Sequence, residues 1–178
     1  MMFLDNDVWL EPDMLTRMME ALRASGGGFV GAAVQELSFL DDDRPTERRT
    51  LELWNGRVTP ERIRANTRAH ARWALHNAAN MAHAAAHLNV ELGGWVLYKV
   101  AWVGGCVLFD RQKLIDCGGF TFWKDLPADH AGEDVTAQWR VMERYGGAGM
   151  MPSGAVHLEA PTTVTNRRVD AAEKLLDH

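Results

Sequence analysis

Cysteine is scarce in this sequence. The two present, Cys106 and Cys117, stand outside any CxxC pair and allow one bridge at most, so no disulfide framework exists and both are read as reduced, structural thiols. Long apolar runs are also missing. No stretch approaches the ~18 residues of a membrane span, and no basic segment leads into an apolar one at the start, so the expectation is a cytoplasmic product or one carried by something else. Basic charge is in deficit, with 19 Lys and Arg against 24 Asp and Glu and a formal charge of -5, which leaves no electrostatic footprint for nucleic acid. Internal repeats and low-complexity linkers are absent. What remains, 178 residues with 47% hydrophobic and 24% charged, is enough for one globular domain or one domain with an arm.

The chain opens directly on apolar Met1-Met2-Phe3-Leu4, which reads as a buried core strand, and Asp5–Glu11 reads as the loop leaving it. Pro12–Ala24 is an amphipathic helix with Met14, Leu15, Met18, Met19 and Leu22 as its stripe, stopped by Ser25-Gly26-Gly27-Gly28. Phe29–Val34 is a second strand, and the order strand, helix, strand is that of an α/β sheet. Residues 35–60 form a charged surface loop or short hairpin that includes Asp41-Asp42-Asp43. Thr59 and Pro60 then start an Ala-rich helix predicted to run to about Asn89, the longest in the chain. Trp95–Phe109 is strand material broken by Gly104-Gly105, where something must approach the backbone closely. Asp110–Asp116 is a short helix, Phe120–Ala131 an irregular loop, and Glu133–Tyr145 an amphipathic helix ended by Gly146-Gly147. Ala148–His157 is the last strand, interrupted by Pro152 and Gly154, and Val169–Leu176 is a terminal helix.

Four places carry chemistry. Asp5 and Asp7 bracket one residue after a strand, where alternate side chains point the same way, so two carboxylates could converge on Mg²⁺ or Mn²⁺. The same spacing also suits a solvated turn with Asp7 as a cap. Glu133 and Asp134 open a helix, where the dipole favours carboxylates, and they read equally as a plain cap or as a base, with Asp134 taking a proton from a hydroxyl. His157 ends the last strand and would suit a third metal ligand facing Asp7. Trp73, His76, Asn80, His83 and His87 share one helical face; His83 and His87 could grip Zn²⁺, but the pattern lacks the Glu of H-E-x-x-H and reads better as a polar seam.

In order, MFLDNDVWLEPDMLTRMMEAL, VGAAVQ, WVGGCVLFDRQKLIDCGGF, GEDVTAQWRVMERYGG and AVHLEAP resemble the second half of a family-two, GT-A-fold glycosyltransferase. The resemblance leaves out about 37–92, the variable acceptor-facing stretch in that family, and everything after Pro161. It implies an incomplete GT-A-like mixed sheet flanked by helices over residues 1–161, with a long inserted helix in 37–92 and a tail at 162–178. It implies that Asp5 and Asp7 are the DxD motif holding Mg²⁺ or Mn²⁺ against a nucleotide-diphosphate sugar, with His157 completing the metal site. Asp134 would be the catalytic base of an inverting enzyme, with Glu133 shaping the acceptor site. Gly104 and Gly105 would lie where donor and acceptor meet, with Trp102 as a stacking platform. The partners implied are that donor and an acceptor hydroxyl on a glycan, lipid or small molecule. The family's nucleotide-binding strands precede the DxD strand and would add roughly 90 residues at ~30 per strand-and-crossover unit. Their absence would leave the first strand with an unpaired edge, open to the missing half or to a second copy in a homodimer. A retaining transferase, or a self-associating protein without turnover, are the alternatives.

Overall fold

A computed structural model describes residues 1–76, 78–88, 90, 93–161 and 168–176. In chain order the elements are β1 (Met2–Leu4), β2 (Val8–Leu10), α1 (Met14–Ser25), β3 (Phe29–Gly31), β4 (Gln35–Glu36), α2 (Arg68–Ala71), α3 (Ala78–Ala86), β5 (Val96–Tyr98), β6 (Cys106–Phe109), α4 (Arg111–Asp116), β7 (His130–Ala131), α5 (Glu133–Tyr145), β8 (Gly147–Met151), β9 (Ala155–His157), β10 (Val169–Asp170) and α6 (Ala171–Leu175). Short 3₁₀ turns lie at Leu37–Phe39, Glu47–Thr50, Arg72–His76 and Thr121–Asp125. The class is the expected one, a mixed α/β fold with a sheet flanked by helices.

The main sheet runs β1-β6-β3-β8-β5. Only the β3–β8 pair is parallel; β1–β6, β3–β6 and β5–β8 are antiparallel. The two-residue alternation of a strand sorts its side chains into two layers. Val30, Cys106, Leu108, Ala148 and Met150 face α1, whose Met14, Met18 and Ala21 recur at helical spacing and are fully buried. Phe29, Val107, Phe109, Tyr98 and Met151 face the other way, toward Val135, Val141 and Met142 of α5. At Gly149, between these sets, an added Cβ would lie 2.2 Å from the Tyr98 ring, so only glycine lets β5 and β8 close there.

The edges of this sheet differ. Residues 52–54 cover β5: Trp54 N–H donates to Leu97 O at 2.9 Å and Lys99 N–H to Glu52 O at 2.8 Å. The same segment is pinned by buried Arg72, which reaches Glu61 at 2.6 Å and Glu52 at 3.4 Å, while Glu52 also meets Arg68 and Lys99. β1 is the opposite edge rather than a core strand, with Phe3 38% and Leu4 43% exposed. No strand covers its outer side among the described residues.

Several boundaries move. The stretch after β1 holds strand β2, which joins β9 and β4 in a separate small sheet, so the material expected as one last strand divides into β8 and β9 in two sheets. Leu15 is turned outward from the α1 stripe. The inserted helix begins at Arg68, capped by Thr67 in place of Thr59, and continues as α2, a 3₁₀ turn and α3. Its alanines favour helix, but Arg72 is drawn to Glu52 and Glu61, and Trp73 and His76 dock on Trp102, contacts that tighten the middle turn. The end expected at Asn89 and the side chain of Asn80 lie outside the described residues. The terminal helix is shorter than expected, because Val169 and Asp170 pair with His130 and Ala131 as a parallel bridge before it starts.

Candidate functional site

A cleft of about 550 Å³ opens beside the end of β1 and gathers Phe3, Asp5, Trp102, Gly104, Gly105, Glu133 and Asp134 among its walls. Asp5 enters from β1, and its backbone N–H donates to Gly105 O at 2.9 Å, which joins the acidic turn to the glycine bend. Gly105 has φ +75°, and an added Cβ would lie 2.8 Å from Val34, so both conformation and space require glycine. Trp102 is held from the insertion side by His76, whose ring stacks on it at 4.8 Å. Its indole Nε1 is buried with no partner among the described residues.

Asp134 sits in the first turn of α5, directly after Gly132, which takes φ +79°. Burial lifts its carboxyl to about 6; the Val135 amide opposes the rise, while the charges of Glu133 and Asp5 add to it. A carboxylate held near neutrality at a cleft wall is suited to exchanging protons with a hydroxyl. The helix also grips the facing segment. Gln138 donates through Nε2 to Val103 O at 2.7 Å and accepts from Val103 N–H at 2.8 Å, and Trp139 Nε1 donates to Ala101 O at 2.9 Å. One helix therefore carries Asp134 and fixes the backbone around Trp102 and Gly104.

Asp7 does not follow Asp5 into the cleft. The chain turns at Asn6 and Asp7, and the Asp7 Oδ2 lies 3.1 Å from His157 Nε2 and accepts the Ala160 N–H at 3.0 Å. Two of the three expected metal ligands are thus in contact, and the third points elsewhere. Among the described residues no group of three His, Cys, Asp or Glu converges on one point. A cation held by this pair would sit between Asp7 Oδ2 and His157 Nε2 and take its remaining ligands from a substrate; the carboxylate suits Mn²⁺ or Mg²⁺, and His157 Nδ1, on the far side of the ring, has no partner among the described residues.

His83 and His87 lie near Asp43, which its bond to Arg48 holds below the ordinary carboxylate range with both imidazoles adding to the effect. Asp43 is therefore engaged by Arg48, in keeping with the solvated loop expected for Asp41-Asp42-Asp43. Cys106 and Cys117 are free, and burial pushes the Cys106 thiol up to about 12, which makes it inert.

Sequence reasoning missed Gln138 and Asp170. A glutamine between Val135 and Val141 on the buried face of a helix was the available signal for the first. Asp170 caps α6 by accepting from the Ala172 and Glu173 amides and lies against Gly132, where an added Cβ would be 2.9 Å from its Oδ1. Only the folded tail brings it there. With Asp5, Glu133 and Asp134 it makes four carboxylates around the cleft, and no Lys or Arg among the described residues lines it. No helix is long and apolar enough to cross a membrane, among the described residues. No protein-family model, curated protein or solved structure matches the chain.

Proposed function

We propose that this chain carries the catalytic side of a metal-dependent, inverting glycosyltransferase of GT-A type, moving a sugar from a nucleotide-diphosphate donor to an acceptor hydroxyl. The observation that carries the reading is Asp134: a carboxyl with its pKa raised to about 6, at a helix start in the cleft wall, opposite Asp5 and beside the Gly104-Gly105 bend. Asp7 and His157 would hold Mn²⁺ or Mg²⁺, which supplies charge neutralisation for the diphosphate. Asp134 accepts the proton of the acceptor hydroxyl at its carboxylate, so the oxygen can attack the anomeric carbon from the side opposite the leaving group. Glu133 keeps that carboxyl basic by its charge and shapes the acceptor side. Gln138 holds the Trp102–Gly104 backbone where the reacting groups meet.

A cleft with four carboxylates repels a diphosphate, so donor binding is expected to need the cation. Calorimetry of a nucleoside diphosphate against the full chain should give millimolar binding with Mn²⁺ and none with EDTA. Asp7→Asn and His157→Ala should each weaken the Mn²⁺-dependent binding at least tenfold, and Asp134→Asn should leave it intact. Micromolar binding without metal would overturn the reading.

One observation favours a second reading. Among the described residues no strand pairs with the outer edge of β1, where Leu4 is exposed, and such an edge is a template for strand pairing, as a self-associating protein without turnover would use. That reading has Asp134→Asn leave self-association unchanged.

A further inference from the structure

We infer that a second cleft, of about 730 Å³, is a binding site for a neutral saccharide, the acceptor of the proposed transfer. The inference rests on the transferase reading and names the acceptor class within it. The cleft is built from three separate pieces of chain: His70 and Trp73 from the insertion, Trp139 from α5, and Asp170 and Glu173 from the C-terminal segment. Trp73, partly buried, packs between His70 at 5.5 Å and Trp102 at 5.3 Å and meets Trp139 at 88° and 6.3 Å; Trp139 is only 9% exposed, so Trp73 and His70 supply the accessible aromatic surface and Trp139 backs it. The indole N–H of Trp139 is already bonded to Ala101 O, and what that ring offers the cleft is carbon surface.

The lining selects among acceptor chemistries. No Lys or Arg among the described residues reaches it, which disfavours a phosphorylated or otherwise anionic ligand. Two carboxylates at the walls make it a poor home for a lipid chain, since they would have to be desolvated against methylene groups. Indole surface for the C–H faces of a pyranose, with carboxylate oxygens to accept from its hydroxyls, matches a neutral sugar. The position matches as well. Trp73 and Asp170 line both clefts, so the two adjoin, and Asp134 lines the first. A sugar seated on Trp73 can therefore extend a hydroxyl past Asp170 to Asp134.

The test is a titration of the full ¹⁵N-labelled chain with cellobiose, maltose and lactose, and with choline as a cationic control, following the indole N–H resonances. At least one disaccharide should shift the Trp73 or Trp139 signal saturably in the millimolar range. Trp73→Ala should weaken that binding about tenfold, and Glu173→Gln, at an exposed position that leaves the fold alone, about threefold. The inference is overturned if no disaccharide shifts either signal, if choline alone does, or if both variants bind as the wild type does. Saccharide binding without Mn²⁺-dependent diphosphate binding would retain this site and remove the transferase reading. Diphosphate binding without any saccharide response would do the reverse.

Discussion

Asp134 releases its proton against the pull of its surroundings, and that has a consequence for stability. The folded chain holds the proton up to about pH 6, whereas an unfolded aspartate loses it near ~4, so between those values the native state binds more protons than the unfolded one. Stability therefore falls as pH rises through this window. That difference in proton affinity corresponds to at most about 3 kcal/mol, fully expressed above pH ~6. Asp134→Asn, which cannot ionise, should match the wild type in urea denaturation at pH 4 and exceed it by about 1–3 kcal/mol at pH 7.5. Equal stability at both pH values would mean that the carboxyl is not perturbed. A residue that costs stability when ionised belongs where its charge is used, which links this measurement to the proposed role as a base.

At the scale of elements, α5 is the organising piece. Gln138 supplies both a donor and an acceptor to the Val103 backbone, in effect replacing one rung of a strand. Gln138→Leu keeps the volume but strands a buried N–H and C=O, a loss of about 2–4 kcal/mol. In a chain of 178 residues that lowers the melting temperature by about 5–10 °C in calorimetry, and an unchanged melting temperature would show that water replaces the side chain. This helix was readable in the sequence from its first residue to its last, because Gly132 and Gly146 bracket a continuous 3.6-residue pattern. Strands β3 and β6 were readable for a similar reason, being continuous apolar runs with turn signals on both sides. The small β2-β9-β4 sheet was not, since strands of two or three residues are too short to show a period. Reading Asp5 and Asp7 as convergent assumed that the strand continues through them. The turn at Asn6 breaks the alternation and carries Asp7 across to His157, so the pairing of Asp7 with His157 was legible and that of Asp5 with Asp7 was not. Asp170 could not be foreseen because its place depends on the tail returning to pair with β7.

Across the whole molecule, the two edges of the main sheet differ among the described residues. Residues 52–54 cover β5, whereas no strand among the described residues covers β1, whose Phe3 lines the cleft that holds Asp5 and Asp134. Asp7 with His157, Asp134 and the glycine bend come from separate strands and from α5, so the candidate site exists only in the assembled fold and in no single motif. Two clefts share Trp73 and Asp170, so a ligand in one adjoins a ligand in the other. The most direct test is the rate of nucleoside-diphosphate release from a panel of nucleotide sugars with Mn²⁺ and a disaccharide acceptor, measured from pH 5 to 8. Release should rise to a plateau above pH ~6, stop with EDTA, and fall by about 10²–10⁴ in Asp134→Asn. No release from any donor, or release that survives both EDTA and Asp134→Asn, would contradict the transferase reading.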